Sequence, residues 1–112
     1  MNDKLLSMLG LARRAGRLSC GFDASVDSMK SGKSQLLLLA SDLSERTTRA
    51  VKAKAEQYSV EYIMCGRDMS SIGNAIGKKM TGIISVNDSG FAEKLKALCA
   101  ENRQEECIDD KI

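Results

Sequence analysis

Histidine, proline and tryptophan are absent from this sequence, and the missing histidine narrows its chemistry most. Without an imidazole the commonest general base is gone, together with every triad that depends on it. Zinc sites of the Cys and His type are also disfavoured, because the four cysteines form no close C-x-x-C pair. The cysteines are Cys20, Cys65, Cys99 and Cys107. We therefore expect no metal and no cofactor.

Two other features that could indicate catalysis, a tripeptide like a phosphate-binding loop and a cysteine near a helix start, do not support an enzyme. Gly32-Lys33-Ser34 resembles the end of a phosphate-binding loop, but Asp27 stands where that loop needs its first glycine, and the tripeptide precedes a strand instead of opening a helix. Cys20 lies near a helix start, which can lower a thiol pKa, yet no histidine is available to activate it. Most of the cysteines are expected to be small buried apolar residues. The sequence predicts no enzyme.

Aromatic residues and long apolar runs are also scarce. Two Phe and two Tyr leave the core to aliphatic residues, and 112 residues suffice for one domain. We predict a single domain over residues 1–100 and a polar, acidic C-terminal segment over residues 101–112. No stretch approaches the roughly 20 apolar residues of a membrane span, and no secretory pattern opens the chain. We expect a cytoplasmic monomer with reduced thiols.

The charges that are present are unevenly distributed. Residues 1–80 carry 13 Lys and Arg against 8 Asp and Glu, whereas residues 81–112 carry 4 against 7. A basic body with an acidic end is compatible with phosphate contact on one face. An ordinary solvated surface would give similar totals, so charge alone decides little.

Apolar periodicity predicts alternating helices and strands. Positions 5, 8, 9, 12 and 15 define a first helix, Leu18–Cys20 a short strand, and Phe22–Met29 a second helix. Leu36 to Ala40 is a continuous apolar run, typical of a strand buried on both faces. A third helix follows, capped by Asp42 or Ser44, with Thr47, Val51, Ala55 and Tyr58 inward and with capping-box spacing between Asp42 and Glu45.

The second half of the chain continues this alternation. Residues 60–64 and 82–86 are predicted strands, separated by a short helix that Asp68 caps and by a loop at Lys78-Lys79-Met80. A last helix begins at Asp88 or Ser89. Helices alternating with strands predict a three-layer α/β/α sandwich, in which helices cover both faces of a sheet.

Four stretches of the chain, taken together, resemble the bacterial YlxQ-like proteins of the kink-turn RNA-binding ribosomal superfamily, which includes archaeal large-subunit protein seven-Ae and eukaryotic thirty-e. They are Leu9-Gly10-Leu11-Ala12-Arg13-Arg14-Ala15-Gly16-Arg17-Leu18, Leu36-Leu37-Leu38-Leu39-Ala40-Ser41-Asp42-Leu43-Ser44, Ile72-Gly73-Asn74-Ala75-Ile76-Gly77-Lys78 and Asp88-Ser89-Gly90-Phe91-Ala92-Glu93-Lys94-Leu95, with Gly21 between the first two. The resemblance covers roughly residues 3–99. It implies an α/β/α sandwich on a four-stranded mixed sheet, and a non-catalytic, ribosome-associated protein that binds kinked or bulged RNA.

The resemblance also implies where the RNA is held: at the turn after the first strand, at the end of the second strand, and in the loop before the last strand. Gly21 lets the backbone approach a phosphate or base, and the helix that follows presents its N-terminal amides. Met80 is suited to packing on an extruded base. The expected RNA-binding residues are Arg13, Arg14, Arg17, Cys20, Gly21, Phe22, Asp23, Asp42, Lys78, Lys79 and Met80.

One window departs from the family's pattern. The family's RNA-reading turn runs Gly, a variable residue, Asn or Lys, Glu or Gln, two more residues, then Lys. Here it is Gly21-Phe22-Asp23-Ala24-Ser25-Val26-Asp27. Ala24 cannot hydrogen-bond a base, and Asp23 and Asp27 repel phosphates. Losing a bidentate base contact would cost about 1–3 kcal/mol.

Structural alternatives remain open for the same residues. The Arg13, Arg14 and Arg17 cluster and the Lys78-Lys79 pair could simply favour helix C-terminal dipoles. Phe22 could belong to the core, and Asp42 could be only a helix cap. The altered turn also leaves room for a different function, a protein-interaction adaptor on the same fold.

Overall fold

A computed structural model of the chain describes residues 3–99; the predicted C-terminal segment, residues 101–112, lies outside this range. Within it, five helices alternate with four strands. The elements are α1 (Lys4–Arg14), β1 (Leu18–Cys20), α2 (Phe22–Lys30), β2 (Leu36–Leu39), α3 (Glu45–Gln57), β3 (Tyr62–Met64), α4 (Met69–Ile76), β4 (Ile83–Val86) and α5 (89–99).

The four strands form one mixed sheet in the order β1-β4-β2-β3. β4 is antiparallel to both β1 and β2, whereas β2 and β3 are parallel. The register places Cys20 opposite Ile84, and Leu39 opposite both Met64 and Ile83. The ends of β1, β2 and β3 and the start of β4 therefore meet along one edge of the sheet.

Helices cover both faces of this sheet, as the sequence predicts. Leu36 and Leu38 of β2 point to a core shared with α1, α4 and α5, whereas Leu37 and Leu39 point to a core shared with α2 and α3. All four leucines are almost fully buried, because a central strand between two helical layers has no solvent-facing side. The three-layer α/β/α sandwich is confirmed.

A set of polar side chains fixes α2 against β1. Ser19 Oγ lies 2.7 Å from Ser28 Oγ, Asn87 Nδ2 donates to Ser19 Oγ at 2.9 Å, and the Ser25 hydroxyl donates to the Ser19 carbonyl at 3.4 Å. Ser25 and Ser28 are buried and hydrogen-bonded, so their burial avoids the cost of an unpaired polar group. These hydrogen bonds hold the turn between β1 and α2 in place.

Three local expectations were wrong. Ala15 does not face the core: α1 ends at Arg14, and Ala15 is its exposed C-cap. Val60 precedes β3, because its amide donates to the Ala55 carbonyl at 2.8 Å and closes the turn after α3. Asp42 does not form a capping box with Glu45, since Ser44 Oγ accepts from Thr47 N and caps α3 alone. No helix in the described range is both long and apolar enough to cross a bilayer.

Candidate RNA interface

The turn from β1 into α2 is built around Gly21. Its backbone has φ 97° and ψ 168°, a region that is essentially restricted to glycine. The Gly21 amide donates to the Ile83 carbonyl at 2.8 Å, and its carbonyl accepts from Ser25 N at 3.1 Å. No side chain caps α2, so the first amides of this helix point outward without a side-chain acceptor. This arrangement favours an anionic group, such as a phosphate, beside Gly21.

A groove of about 350 Å³ opens next to this turn. Its walls come from three places in the chain: the end of β1 with the start of α2, the loop between β2 and α3, and the loop before β4 with the first residue of that strand. The lining residues are Cys20, Gly21, Phe22, Leu43, Lys78, Met80, Thr81, Gly82 and Ile83. Five of the residues predicted to bind RNA, namely Cys20, Gly21, Phe22, Lys78 and Met80, are thus brought together although they span 61 positions of the sequence.

The loop wall of the groove is held by α4. Gly77 ends α4 in the left-handed conformation (φ 77°), and the Lys78 amide donates to the Gly73 carbonyl at 2.8 Å. Thr81 N donates back to the Met69 carbonyl at 3.2 Å. A Cβ atom on Gly73 would lie only 2.5 Å from the Lys79 carbonyl oxygen and 2.8 Å from that of Lys78. Gly73 is therefore what allows the loop to pack directly on the helix.

Apolar and basic side chains meet at the rim of the groove. Met80 is 61% exposed, an unusual degree for a large apolar side chain, and Lys78 and Lys79 precede it in the same exposed loop. Phe22 is half-buried and does two things at once: it packs against the core under α2 and lines the groove. The rim thus offers cations for phosphates and an exposed thioether for a base.

The pKa of the Cys20 thiol reflects the charged side chains that lie near it. Burial raises the pKa of the Cys20 thiol, while the positive charges of Arg13 and Lys78 oppose that rise. Arg13 therefore acts on the groove although it belongs to α1. Because burial dominates, the thiol stays protonated near neutral pH and is no activated nucleophile.

The remaining basic residues differ in position. Arg14 is exposed in the last turn of α1 next to Arg13. Arg17 lies just after the turn that ends α1. Its amide donates to the Ala12 carbonyl at 3.0 Å, and its carbonyl accepts from Asn87 N at 2.8 Å, beside the Leu18–Val86 pair. That pair lies at the opposite end of β1 from Gly21. The backbone therefore keeps Arg17 beside the last turn of α1, which carries Arg13 and Arg14.

Asp42 makes a contact that the sequence did not reveal. Its Oδ1 accepts from Met69 N at 2.8 Å, while Asp68 Oδ1 accepts from Ser71 N at 2.7 Å. Two carboxylates thus share the N-terminus of α4, and the bond from Asp42 ties the loop after β2 to the helix that carries the groove loop. Met69 also lies under Gly82, whose added Cβ would come 3.0 Å from its sulfur.

Asp23 and Asp27 are both exposed on α2. Asp23 stands in the first turn, where a carboxylate interacts favourably with the helix dipole. In the described part of the chain, no group of three or more Cys, Asp or Glu residues is arranged to hold a metal ion.

Sequence reasoning missed four lining residues: Leu43, Thr81, Gly82 and Ile83. Leu43 lay within a stretch that carried the family resemblance, Thr81 directly follows the predicted loop, and Gly82 and Ile83 begin the predicted last strand. Position next to recognised segments was the only available signal. These residues can be assigned to one groove only when the sheet register is known, because that register pairs Leu39 with Ile83.

Comparison with known proteins agrees with this architecture. The "RNA-binding protein YlxQ" of Bacillus subtilis (strain 168) is 34% identical over 91 residues, covering 81% of this chain and 90% of that protein. The YlxQ protein of Enterococcus faecium is 35% identical over 97 residues, covering 85% and 90%. A solved structure from Bacillus halodurans, of a protein with unknown function, superimposes with a TM-score of 0.81 at 35% identity, covering 88% of this chain and 99% of that one. The Ribosomal protein L7Ae/L30e/S12e/Gadd45 family matches residues 3–102, and this chain belongs to that family.

Proposed function

We propose that this chain is a non-catalytic protein that binds structured RNA through the groove beside Gly21, and that its ligand is a kinked or bulged RNA of the kink-turn type. The observation that carries the proposal is the groove itself, which joins an open glycine turn, an exposed Met80 and the Lys78 cation. Two YlxQ relatives that are described as RNA-binding proteins support it.

RNA binding would combine contacts to the phosphate backbone of the RNA with contacts to one of its bases. Lys78, Lys79, Arg13 and Arg14 would neutralise phosphates on either side of the RNA bend. The bend would place one phosphate near the N-terminus of α2, where Gly21 leaves nothing within 4 Å of the position a Cβ would take. An unstacked base at the bend would pack on Met80 and reach Phe22 in the groove.

The altered turn changes which base edge can be read. A carboxylate only accepts hydrogen bonds, so Asp23 would face amino or imino donors of a base and not phosphate oxygens. Ala24 leaves the next position without a polar group. We therefore expect a base preference that differs from that of family members with an amide or Lys at the corresponding positions.

The cellular context is proposed from the family membership. We propose that the RNA is ribosomal or a structured leader, that the protein works as a cytoplasmic monomer, and that Arg17, beside the last turn of α1, adds a further phosphate contact. The family description, which names ribosomal proteins, supports a ribosomal ligand.

The test is a titration of the full chain with a standard kink-turn RNA and with a straight duplex of equal length, at two salt concentrations. We expect at least tenfold tighter binding to the kinked RNA, and loss of that preference in Lys78→Glu. Lys30→Glu is the matched control, because Lys30 is an exposed lysine at the far end of α2. Equal, weak binding to both RNAs would contradict the proposal.

A protein-interaction adaptor is the second candidate, favoured by the two aspartates and the alanine in the turn. Its signature would be capture of a protein partner that persists in nuclease-treated lysate and at high salt. A partner contact that Lys78→Glu and Met80→Ala leave intact, together with equal RNA titrations, would favour the adaptor.

A further inference from the structure

We propose that the protein holds its RNA by one helical arm: this arm lies over α1 and α4, and the α2 side of the groove keeps the second arm away. The inference rests on the proposed RNA-binding function, and it names the class of ligand, a bent RNA whose two arms differ in importance. A kink-turn RNA would still bind, but one of its arms would be dispensable.

The groove lies at an edge of the sheet, so the two helical layers flank it on opposite sides. α1 and α4 pack on one face of the sheet, whereas Phe22 at the start of α2 packs on the other. Both layers reach the groove, because Lys78 and Met80 follow α4 and Phe22 opens α2. An RNA bent into the groove therefore has a helical layer on each side, against which an arm could rest.

The α1 and α4 side is rich in positive charge. Residues 4–21 and 69–87, which contain α1, β1, α4 and β4, include six Lys and Arg and no Asp or Glu. The positive charges of Arg13 and Lys78 both act on the Cys20 thiol and oppose the rise of its pKa, so these two side chains lie together near the end of β1. Five of the six cations belong to the last turn of α1 or follow one of the two helices, namely Arg13, Arg14, Arg17, Lys78 and Lys79.

α1 and α4 run side by side, with their starts together. Asp3, just before α1, accepts a hydrogen bond from Arg67, just before α4. Further along both helices, a Cβ atom on Gly10 would lie 3.1 Å from the Ala75 carbonyl oxygen. The carboxylates of this helix pair, Asp3 and Asp68, cap the starts of the helices, where each accepts a backbone amide. The cations therefore lie at the other end, where phosphates of an RNA arm would be held.

The outer side of α1 gives the arm a surface to continue along. Ser7, Leu11 and Arg14 are exposed and follow each other at intervals of four and three residues, so they share one side of the helix. They span about 10 Å along its axis. Double-stranded RNA is recognised through its phosphates and through the 2′-hydroxyls of its shallow minor groove. Arg14 suits the phosphates, and the Ser7 hydroxyl suits a 2′-hydroxyl.

The α2 side presents carboxylates instead. Asp23 and Asp27 are exposed and lie four residues apart, so they share the outer face of α2. None of the ion pairs formed within residues 3–99 involves either of them. Asp27 lies about 9 Å along the helix from Gly21, which is within the screening length of about 10 Å at 0.1 M salt. An RNA backbone on this side would meet two uncompensated negative charges.

The start of α3, in the same layer as α2, does not reverse this balance. Glu45 forms an ion pair with Arg49, and Asp42 and Arg46 stand at the same end of α3. With the two aspartates of α2, this end of the layer holds four carboxylates against two guanidinium groups. The opposite layer offers cations beside the groove. This contrast favours one arm over α1 and α4 and disfavours an arm over α2.

Shortened RNAs test the inference. The full chain is titrated at low salt with a kink-turn RNA in three forms: both arms intact, and each arm in turn shortened to its closing base pairs. We expect a loss of at least about tenfold in affinity when one arm is shortened, and a change below about twofold when the other is. Arg14→Gln should weaken binding of the RNAs that keep the essential arm, and should have little effect on the RNA that lacks it.

Asp27→Lys should give the converse result. Lysine favours helix, so α2 should remain folded. We expect binding to tighten about three- to tenfold for RNAs that keep the dispensable arm, and to stay unchanged for the RNA without it. The matched control is Glu93→Lys, an exposed change on α5 beside Gln35 and Glu61, at the opposite edge of the sheet. A gain from Asp27→Lys that does not depend on the arm would show a general charge effect and would overturn the inference.

A paramagnetic label locates the arms directly. A nitroxide is attached to the outer end of either arm, and NMR line broadening is measured for the methyl groups of Leu11 and Ala24, which are exposed on α1 and α2. We expect the label on the essential arm to broaden Leu11, and neither label to broaden Ala24.

The possible failures are distinguishable. Equal dependence on both arms, or an Ala24 signal broadened as strongly as that of Leu11, would overturn the inference and leave RNA binding in the groove intact. Equal, weak binding of the kinked RNA and a straight duplex would instead refute the proposed function on which the inference rests.

Discussion

At the scale of single residues, Gly21 fixes the turn beside the groove, and Asp3 and Arg67 form an ion pair elsewhere in the fold. Gly21 holds a backbone conformation that other residues avoid, and open space surrounds the position of its missing Cβ. Any substitution is therefore limited by backbone strain and not by a clash. The Asp3 carboxylate caps α1 by accepting a hydrogen bond from Leu6 N at 3.1 Å. It also accepts a hydrogen bond from Arg67 Nε at 2.6 Å, and this second bond joins α1 to the loop before α4.

The first prediction concerns Gly21→Ala. It should lower the free energy of unfolding by about 1–3 kcal/mol, the usual cost of strained backbone, and should also weaken RNA binding. Gly32→Ala is the control, since Gly32 also has positive φ (77°) but lies away from the groove. The control should lose stability and keep its RNA affinity. Urea unfolding and RNA titration of both variants measure this, and a Gly21→Ala protein of unchanged stability would refute the strain argument.

A second prediction concerns pH and the Asp3–Arg67 pair. The hydrogen bond from Arg67 lowers the pKa of the Asp3 carboxyl below its ordinary value of 3.8. A group with a depressed folded-state pKa stabilises the fold above its unfolded pKa and loses that contribution as the pH falls through the folded value. The stability from this pair should thus be complete at pH 6 and should decline below about pH 4.

The Asp3→Asn variant keeps a helix cap and removes the charge. It should be less stable than the unchanged chain at pH 6, and the difference should shrink at pH 3. Urea unfolding at both pH values measures this. An equal difference at the two pH values would show that the ion pair does not contribute as described.

At the scale of elements, α4 carries the groove loop, and its two ends are controlled by residues distant in sequence. Asp42 reaches from the loop after β2 to its first amide, and Gly73 lets Lys78 and Lys79 fold back on it. Both relationships are tertiary. The sequence predicted the helix and its Asp68 cap, but it could not predict that Asp42 serves α4 instead of α3.

Gly73→Ala provides the third prediction. Its Cβ would meet backbone oxygens at 2.5 and 2.8 Å, which no side-chain rotation relieves, so the loop must move. We expect a loss of about 1–3 kcal/mol in unfolding free energy, typical of overpacking, and at least tenfold weaker RNA binding. Asn74→Ala, an exposed change on the same helix, should affect neither property much. A Gly73→Ala chain with normal stability and affinity would contradict the role of this close contact.

Asp42 gives the fourth prediction, which separates a cap from an RNA contact. Asp42→Asn keeps an acceptor for Met69 N, whereas Asp42→Ala loses it and should cost about 0.5–2 kcal/mol. If Asp42 only positions α4, then Asn should preserve RNA affinity while Ala lowers it. The comparison needs thermal unfolding and RNA titration of both variants. Equal loss of affinity in both, with stability intact in Asn, would indicate direct contact with RNA.

At the scale of the whole molecule, the fold was predictable because the apolar periodicity of the sequence agrees with the burial of those residues in the structure. The run from Leu36 to Leu39 is buried on both faces, and alternating helices and strands give a three-layer sandwich. The groove was predictable in part. The resemblance indicated Gly21, Phe22, Lys78 and Met80, but only the strand order β1-β4-β2-β3 brings the turn after β1 beside the loop before β4. The arginines show the limit, because the sequence grouped Arg13, Arg14 and Arg17 but could not give their distance from the groove, whose lining residues do not include them.

Charge distribution leads to the fifth prediction. Affinity for a kink-turn RNA should fall with added salt, and the slope of log K against log salt should decrease by about 1 when Lys78 is replaced by Gln. Lys30→Gln should leave the slope unchanged. A fluorescence titration over four salt concentrations measures both. Identical slopes in the two variants would remove Lys78 from the interface.

The most direct test of the account is an NMR titration of the full chain with a kink-turn RNA, which shows where on the surface the RNA binds. We expect the amides of Gly21, Phe22 and Lys78 and the methyl group of Met80 to shift most, with Gly32 and Lys30 unchanged. Shifts concentrated on any other surface, with Gly21 and Met80 unmoved, would contradict the claim that this groove is the RNA-binding site.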